Sequence, residues 1–197
     1  MKQVLRFLHS LSLHNDKAWF DAHKADYLKA KNKVDELAVK LIEGIRSFDD
    51  TVGPLTAADC TYRIYRDIRF SKDKSPYKTH MGVFVNRGGK KSDYGGYYFH
   101  IDGTGDFRQI LAGLAPGLVL DTEGALKKVP KGFPADSPDA AFFKLKNFCL
   151  LKSLDQDFIL SPNLVDSLLD IFRTGKPFLD YINRAIDYCR EERQEKR

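Results

Sequence analysis

Between Arg63 and His80 the chain sets six cations, Arg63, Arg66, Arg69, Lys72, Lys74 and Lys78, against two acids, Asp67 and Asp73. If the segment is extended, Arg63, Asp67 and Arg69 share a face, so a carboxylate lies between two guanidiniums. Such an acid would fix both arginines and leave N–H donors for a phosphate or carboxylate ligand. Ser71-Lys72-Asp73-Lys74-Ser75-Pro76 reads as a turn able to close over that anion. The plainer reading is an Arg–Asp network that braces the fold, and for any single residue it is the stronger one. For the cluster as a whole, the unbalanced charge favours anion binding.

Histidines supply a second constellation. If 79–86 and 96–102 form a hairpin with Asn86 opposite Gly96, then His80 lies opposite Asp102 and diagonal to His100. Two imidazoles and a carboxylate could move protons, which makes Asp67, His80 and His100 the candidate catalytic residues. They could also hold a metal, but no His-x-x-x-His or Cys-x-x-Cys spacing accompanies them, and none is expected. Lys127-Lys128-Val129-Pro130-Lys131-Gly132-Phe133 forms a smaller basic piece, read as a type I turn with Pro130 second and Gly132 fourth. No phosphate loop, nucleophile elbow or dinucleotide fingerprint is present, so the sequence names no cofactor.

The elements that would carry these groups follow from periodicity. Val4 to Ser12 reads as a short helix. Asn15 then caps a long one, about 16–47, with Trp19, His23, Tyr27, Ala30, Val34, Leu37, Leu41, Ile45 and Phe48 on its inner side. We read the Trp19-His23-Tyr27 stripe as packing. From Cys60 to Phe70 the period is two, placing Tyr62, Ile64, Ile68 and Phe70 on one face, with Arg66 the exception, and Thr61, Arg63, Tyr65, Asp67 and Arg69 on the other. The stretches 79–86, 96–102 and 107–114 are further strands, joined by an 87–95 hairpin loop and a Gly103-Thr104-Gly105 turn. Ser137-Pro138-Asp139 opens a short helix to about Lys146, and 147–152 is a buried strand. Ser161-Pro162 opens a helix that Gly175 ends, and Pro177 starts the last one. Together these give one α+β domain over 1–190: an antiparallel sheet packed by a long N-terminal helix and C-terminal helices, with a frayed charged tail over 191–197.

Bulk properties narrow the classes. Hydrophobic residues at 43% and charged residues at 30% are those of a globular domain, and no apolar run could span a bilayer. Cys60, Cys149 and Cys189 are odd in number and widely spaced, which implies buried thiols in a reducing compartment; with no leader, the expected address is the cytoplasm. A net charge of +5 attracts anions without marking an obligate nucleic-acid binder.

The run Arg63-Ile64-Tyr65-Arg66-Asp67-Ile68-Arg69-Phe70-Ser71-Lys72-Asp73-Lys74-Ser75-Pro76-Tyr77-Lys78-Thr79-His80 closely resembles the signature of domain of unknown function 2461, a conserved hypothetical group of bacteria and fungi. The resemblance extends to Asn15 with Trp19-Phe20, to Gly96-Tyr97-Tyr98-Phe99-His100, to 126–133 and to Pro177–Ile186. Relatives carry several helical turns between Gly113 and the 126–133 motif, where this chain has only Leu114 to Ala125. The resemblance strengthens the fold expectation and implies no activity. The expected function is binding of, or catalysis on, a phosphorylated or carboxylated small molecule. A nucleic-acid partner for the same patch ranks lower for want of an exposed aromatic platform, and a purely structural module ranks third.

Overall fold

The computed structural model describes residues 1–69, 72–102 and 118–195, with backbone alone at 188, 189 and 191–195. The strand expected over 107–114 and the turn at 103–105 lie outside the described residues. The chain is α+β and divides into two compact units, Met1–Ile110 with Leu154–Arg197, and Leu111–Ser153.

In the first unit, α1 (Lys2–Leu13) buries Val4, Phe7, Leu8 and Leu11, an i, i+3, i+4, i+7 stripe. Next come α2 (Lys17–Ala22) and α3 (Lys24–Arg46), which buries Ala30, Val34, Leu37, Ala38, Leu41, Ile42 and Ile45. The single helix expected over 16–47 is therefore two. His23 breaks it: its Nδ1 lies 2.8 Å from the Trp19 carbonyl and its ring stacks on Trp19 at 4.0 Å, so the side chain competes for a helix acceptor. The cap is also displaced by one residue. Asp16 Oδ1 accepts from the Trp19 N–H at 2.9 Å, while Asn15 turns to the segment that carries Lys78.

A short helix, α4 (Ala57–Cys60), stands where the sequence suggested the start of a strand. Over its described part, 60–69, the expected strand is reduced to isolated bridges, Thr61 to Val83 and Tyr65 to Tyr77. Pro76 explains part of this. Its carbonyl accepts from Arg66 N–H, but it has no N–H to return, so the ladder cannot continue there.

The hairpin forms in the expected register. Strands β1 (His80–Asn86) and β2 (Gly96–Asp102) pair antiparallel, Asn86 opposite Gly96 and His80 opposite Asp102. Met81, Val83 and Val85, with Tyr97, Phe99 and Ile101, make the inner face; α3 lies against β1 and α1 against β2. A buried polar pair fastens this layer. Asp49, 2% exposed just beyond α3, accepts from Tyr97 Oη at 2.7 Å and from the Thr51 N–H and hydroxyl. Burial, then the bond to Asp49, raises the Tyr97 phenol pKa, so Tyr97 is a neutral donor.

Helix α6 (Gln156–Leu160) leads to α7 (Leu164–Glu195), one 32-residue helix where two were expected, and it continues through most of the tail expected to fray. Gly175 and Pro177 lie inside it. Packing on both sides carries the helix through: Leu168, Leu169 and Phe172 before the proline and Leu179 after it join the core, and Lys176 pairs with Asp180 at 2.7 Å. Its far end holds the 87–95 loop, since Asp187 accepts from Tyr94 Oη at 2.6 Å and from Arg87 at 3.0 Å.

The second unit pairs β3 (Val119–Leu120), which was not expected, with β4 (Leu150–Leu151) and carries α5 (Ala140–Phe143); β4 and α5 are shorter than their expected spans. None of its described residues is buried. Cys149 is accordingly exposed, against the expectation of a buried thiol, whereas Cys60 is buried and its thiol pKa is pushed up to about 11. The basic turn is shifted by one residue. Phe133 N–H donates to Pro130 C=O, and Gly132 sits third with φ +100°, a left-handed position that favours glycine.

Candidate functional site

The outer face of the hairpin presents His80, Gly82, Phe84 and Asn86 on β1 and Gly96, Tyr98, His100 and Asp102 on β2, as strand alternation requires. Beside it run Tyr62–Arg63 and Lys78. Tyr62, Arg63, Lys78, His80, Met81, Gly82 and Tyr98 enclose an open depression of about 200 Å³. Of its seven described lining residues, three are potential cations and none is an acid. Neither Arg63 nor Lys78 forms an ion pair with a carboxylate among the described residues.

The six cations of the sequence cluster thus divide. Arg63 and Lys78 meet at the depression. Arg69 closes on Asp67 with two bonds, Nε to Oδ1 at 2.9 Å and Nη2 to Oδ2 at 2.6 Å. Arg66 pairs with Asp73 and also reaches Ser75 Oγ at 2.8 Å. Lys74 donates to the Ile68 carbonyl at 3.0 Å, and Lys72 is exposed. Asp67 therefore serves mainly Arg69, which with the more distant Arg63 holds its carboxyl below the usual range. The Ser75 hydroxyl and N–H, then Arg66, bring Asp73 down to about 2.

Lys78 and His80 owe their position to Tyr77, which immediately precedes them. The Asn15 amide clamps that residue from both sides, Nδ2 donating to Tyr77 O at 2.9 Å and Oδ1 accepting from Tyr77 N–H at 3.1 Å. A side-chain amide here replaces a strand neighbour. The Tyr77 ring, 4% exposed, stacks on Phe20 at 4.0 Å.

The histidines meet as the register requires, with ring centroids 4.7 Å apart. His100 lies between two partners, its Nδ1 3.1 Å from Tyr98 Oη and its Nε2 3.7 Å from Asp102 Oδ2. The carboxylate favours a proton on Nε2, which leaves Nδ1 to accept from the phenol. Gly82 makes this possible: a Cβ there would come within 2.6 Å of Tyr98 Oη, so the glycine is the seat of the phenol end. Among the described residues, no group of three or more His, Cys, Asp or Glu is placed to hold a metal ion.

Burial lowers the pKa of both imidazoles. For His80, His100 and Lys78 push the same way; for His100, Asp102 pulls back. Burial and Arg63 lower Lys78. A linkage follows with a definite sign. Below the ordinary value of 6.5 the unfolded chain takes up protons that the folded site resists. The unfolded state then binds more protons, so stability is fully present above that pH and declines as acid is added. Denaturation midpoints measured from pH 7.5 to 5 should fall, and His80→Gln should flatten the slope. An unchanged slope in that variant would remove His80 from the account.

Tyr62 and Tyr98 were missed by sequence reasoning. Alternation groups Tyr62 with Ile64 and Ile68 on one face, but a residue flanked by isolated bridges is not bound to a strand's face. Tyr98 could have been found, because the predicted hairpin already sets it beside a glycine in an otherwise bulky strand.

Among the described residues no helix is long and apolar enough to cross a membrane. No curated protein and no solved structure matches the chain. A family model does match, over 3–114 and again over 104–181, two stretches that overlap at 104–114, next to the short 114–125 bridge. The chain belongs to this family, described as conserved hypothetical protein (DUF2461).

Proposed function

We propose that this protein binds a phosphorylated or carboxylated small molecule in the depression on the outer face of the hairpin. One observation carries the reading: Arg63, Lys78 and His80 face one hollow whose described lining residues include no carboxylate. Cations that repel one another, as the lowering of Lys78 by Arg63 and of His80 by Lys78 on top of burial indicates, are relieved by an anion between them. Arg63 supplies the planar fork, Lys78 the point charge, and His80 a proton taken up as the ligand arrives. The His100 imidazole, between Asp102 and Tyr98, gives the site a second proton-exchanging pair should chemistry follow binding. Arg66 and Arg69 belong to bracing ion pairs, which is the structural reading applied to that half of the cluster.

Sulfate is the suitable probe, because its charge does not change between pH 6 and 8. Calorimetric titration should show affinity rising as pH falls across that range, and Arg63→Gln with Lys78→Gln should remove binding. Heat unchanged by the double substitution would sink the proposal.

A further inference from the structure

We infer that the anion taken by this depression is the phosphate of a nucleotide-like ligand whose planar ring rests on Tyr98 and Tyr62. The inference rests on the anion site proposed above and adds its substrate class. Tyr62 and Tyr98 are 43% and 48% exposed, and both line the hollow that holds Arg63 and Lys78. Large aromatic rings left half open beside cations are what a phosphate-linked base needs, since stacking and charge are then met within one ligand. The hydroxyl of Tyr98 is already engaged with His100 Nδ1 at 3.1 Å, so it is the ring that this residue offers. Gly82 supports the phenol end from below, which holds the ring in place before any ligand arrives. Lys78 connects the two functions, with its ammonium 5.5 Å from the Tyr62 ring centroid while it faces the same hollow as Arg63. Lys90, fastened to the Ala58 and Thr61 carbonyls, stands 5.9 Å from that ring and adds to its positive surroundings.

Size decides how such a ligand sits. The hollow of about 200 Å³ is smaller than the roughly 300–1,000 Å³ of pockets that enclose a drug-sized molecule. It accommodates a phosphate and adjoining sugar carbons, with the base lying at the rim against the tyrosines. The same chemistry is offered by a free nucleoside monophosphate and by one nucleotide of a single strand.

The test titrates the full chain with inorganic phosphate, ribose 5-phosphate, adenosine 5′-monophosphate and an oligothymidylate of about eight nucleotides. Adenosine monophosphate should bind roughly 5- to 150-fold more tightly than ribose 5-phosphate, the range that stacking one base provides. Tyr98→Leu and Tyr62→Leu should each narrow the ratio of the two affinities, adenosine monophosphate losing more than ribose 5-phosphate, and an unchanged ratio in both variants would overturn the inference. Tighter, strongly salt-dependent binding of the oligonucleotide would identify a strand as the source, and preference for the mononucleotide would identify the free ligand. Equal affinity of the unmodified protein for the two monophosphates overturns the inference with no variant needed. If neither phosphate nor ribose 5-phosphate binds, the anion site itself fails, which is a different result.

Discussion

Phe20→Ala should lower stability by about 3–5 kcal/mol, the usual cost of emptying a buried phenylalanine site. Phe20 is 1% exposed and, among the described residues, its ring meets four others: Tyr77 at 4.0 Å, Tyr27 at 5.2 Å, Tyr65 at 5.9 Å and Phe7 at 6.4 Å. Collapse around the cavity is restricted, because Tyr77 is held by Asn15 and Phe7 lies in the packed stripe of α1. For a chain of this size the melting temperature should drop about 2–4 °C per kcal/mol. Phe20→Leu, which keeps most of the volume, should lose much less. A fall below about 1 kcal/mol for the alanine variant would show that this aromatic cluster does not support the unit.

The second large effect concerns Asp49 and Tyr97. Replacing Asp49 by Ala strands a buried phenol O–H, and replacing Tyr97 by Phe removes the buried donor among the described hydrogen bonds to the carboxylate, the N–H and hydroxyl of Thr51 belonging to an exposed residue. Hydrogen bonds to charged groups are each worth about 1.5–3 kcal/mol, so either substitution should cost about that much. The two residues share one bond, so the double variant should cost little more than either alone. Strict additivity in urea denaturation would mean that the bond contributes nothing beyond its parts.

How far the sequence foretold this arrangement depended on distance along the chain. The hairpin register was legible because both strands alternate and a glycine-containing loop joins them, so local pattern alone set His80 against Asp102. The inner stripes of α1 and α3 were legible for the same reason. What failed was settled by distant partners or by side chains competing with the backbone. His23 breaks a helix through its imidazole, and Pro177 continues one because Phe172 and Leu179 pack on either side. Asn15, read as a cap, spends both ends of its amide on a residue 62 positions away. Within the site, Arg63, Lys78, His80 and His100 were identifiable from residue type and spacing. That Arg66 and Arg69 are spent on Asp73 and Asp67 was not, since extended alternation cannot say which carboxylate each guanidinium reaches.

The Asn15–Tyr77 clamp and the Phe20–Tyr77 stack bear on kinetics. Closing so long a loop costs entropy that only the last contacts repay, so the walls of the hollow come together late, after the helices and the hairpin. A molecule that recognises only the completed walls should therefore slow the rate at which the chain opens while hardly altering the rate at which it closes.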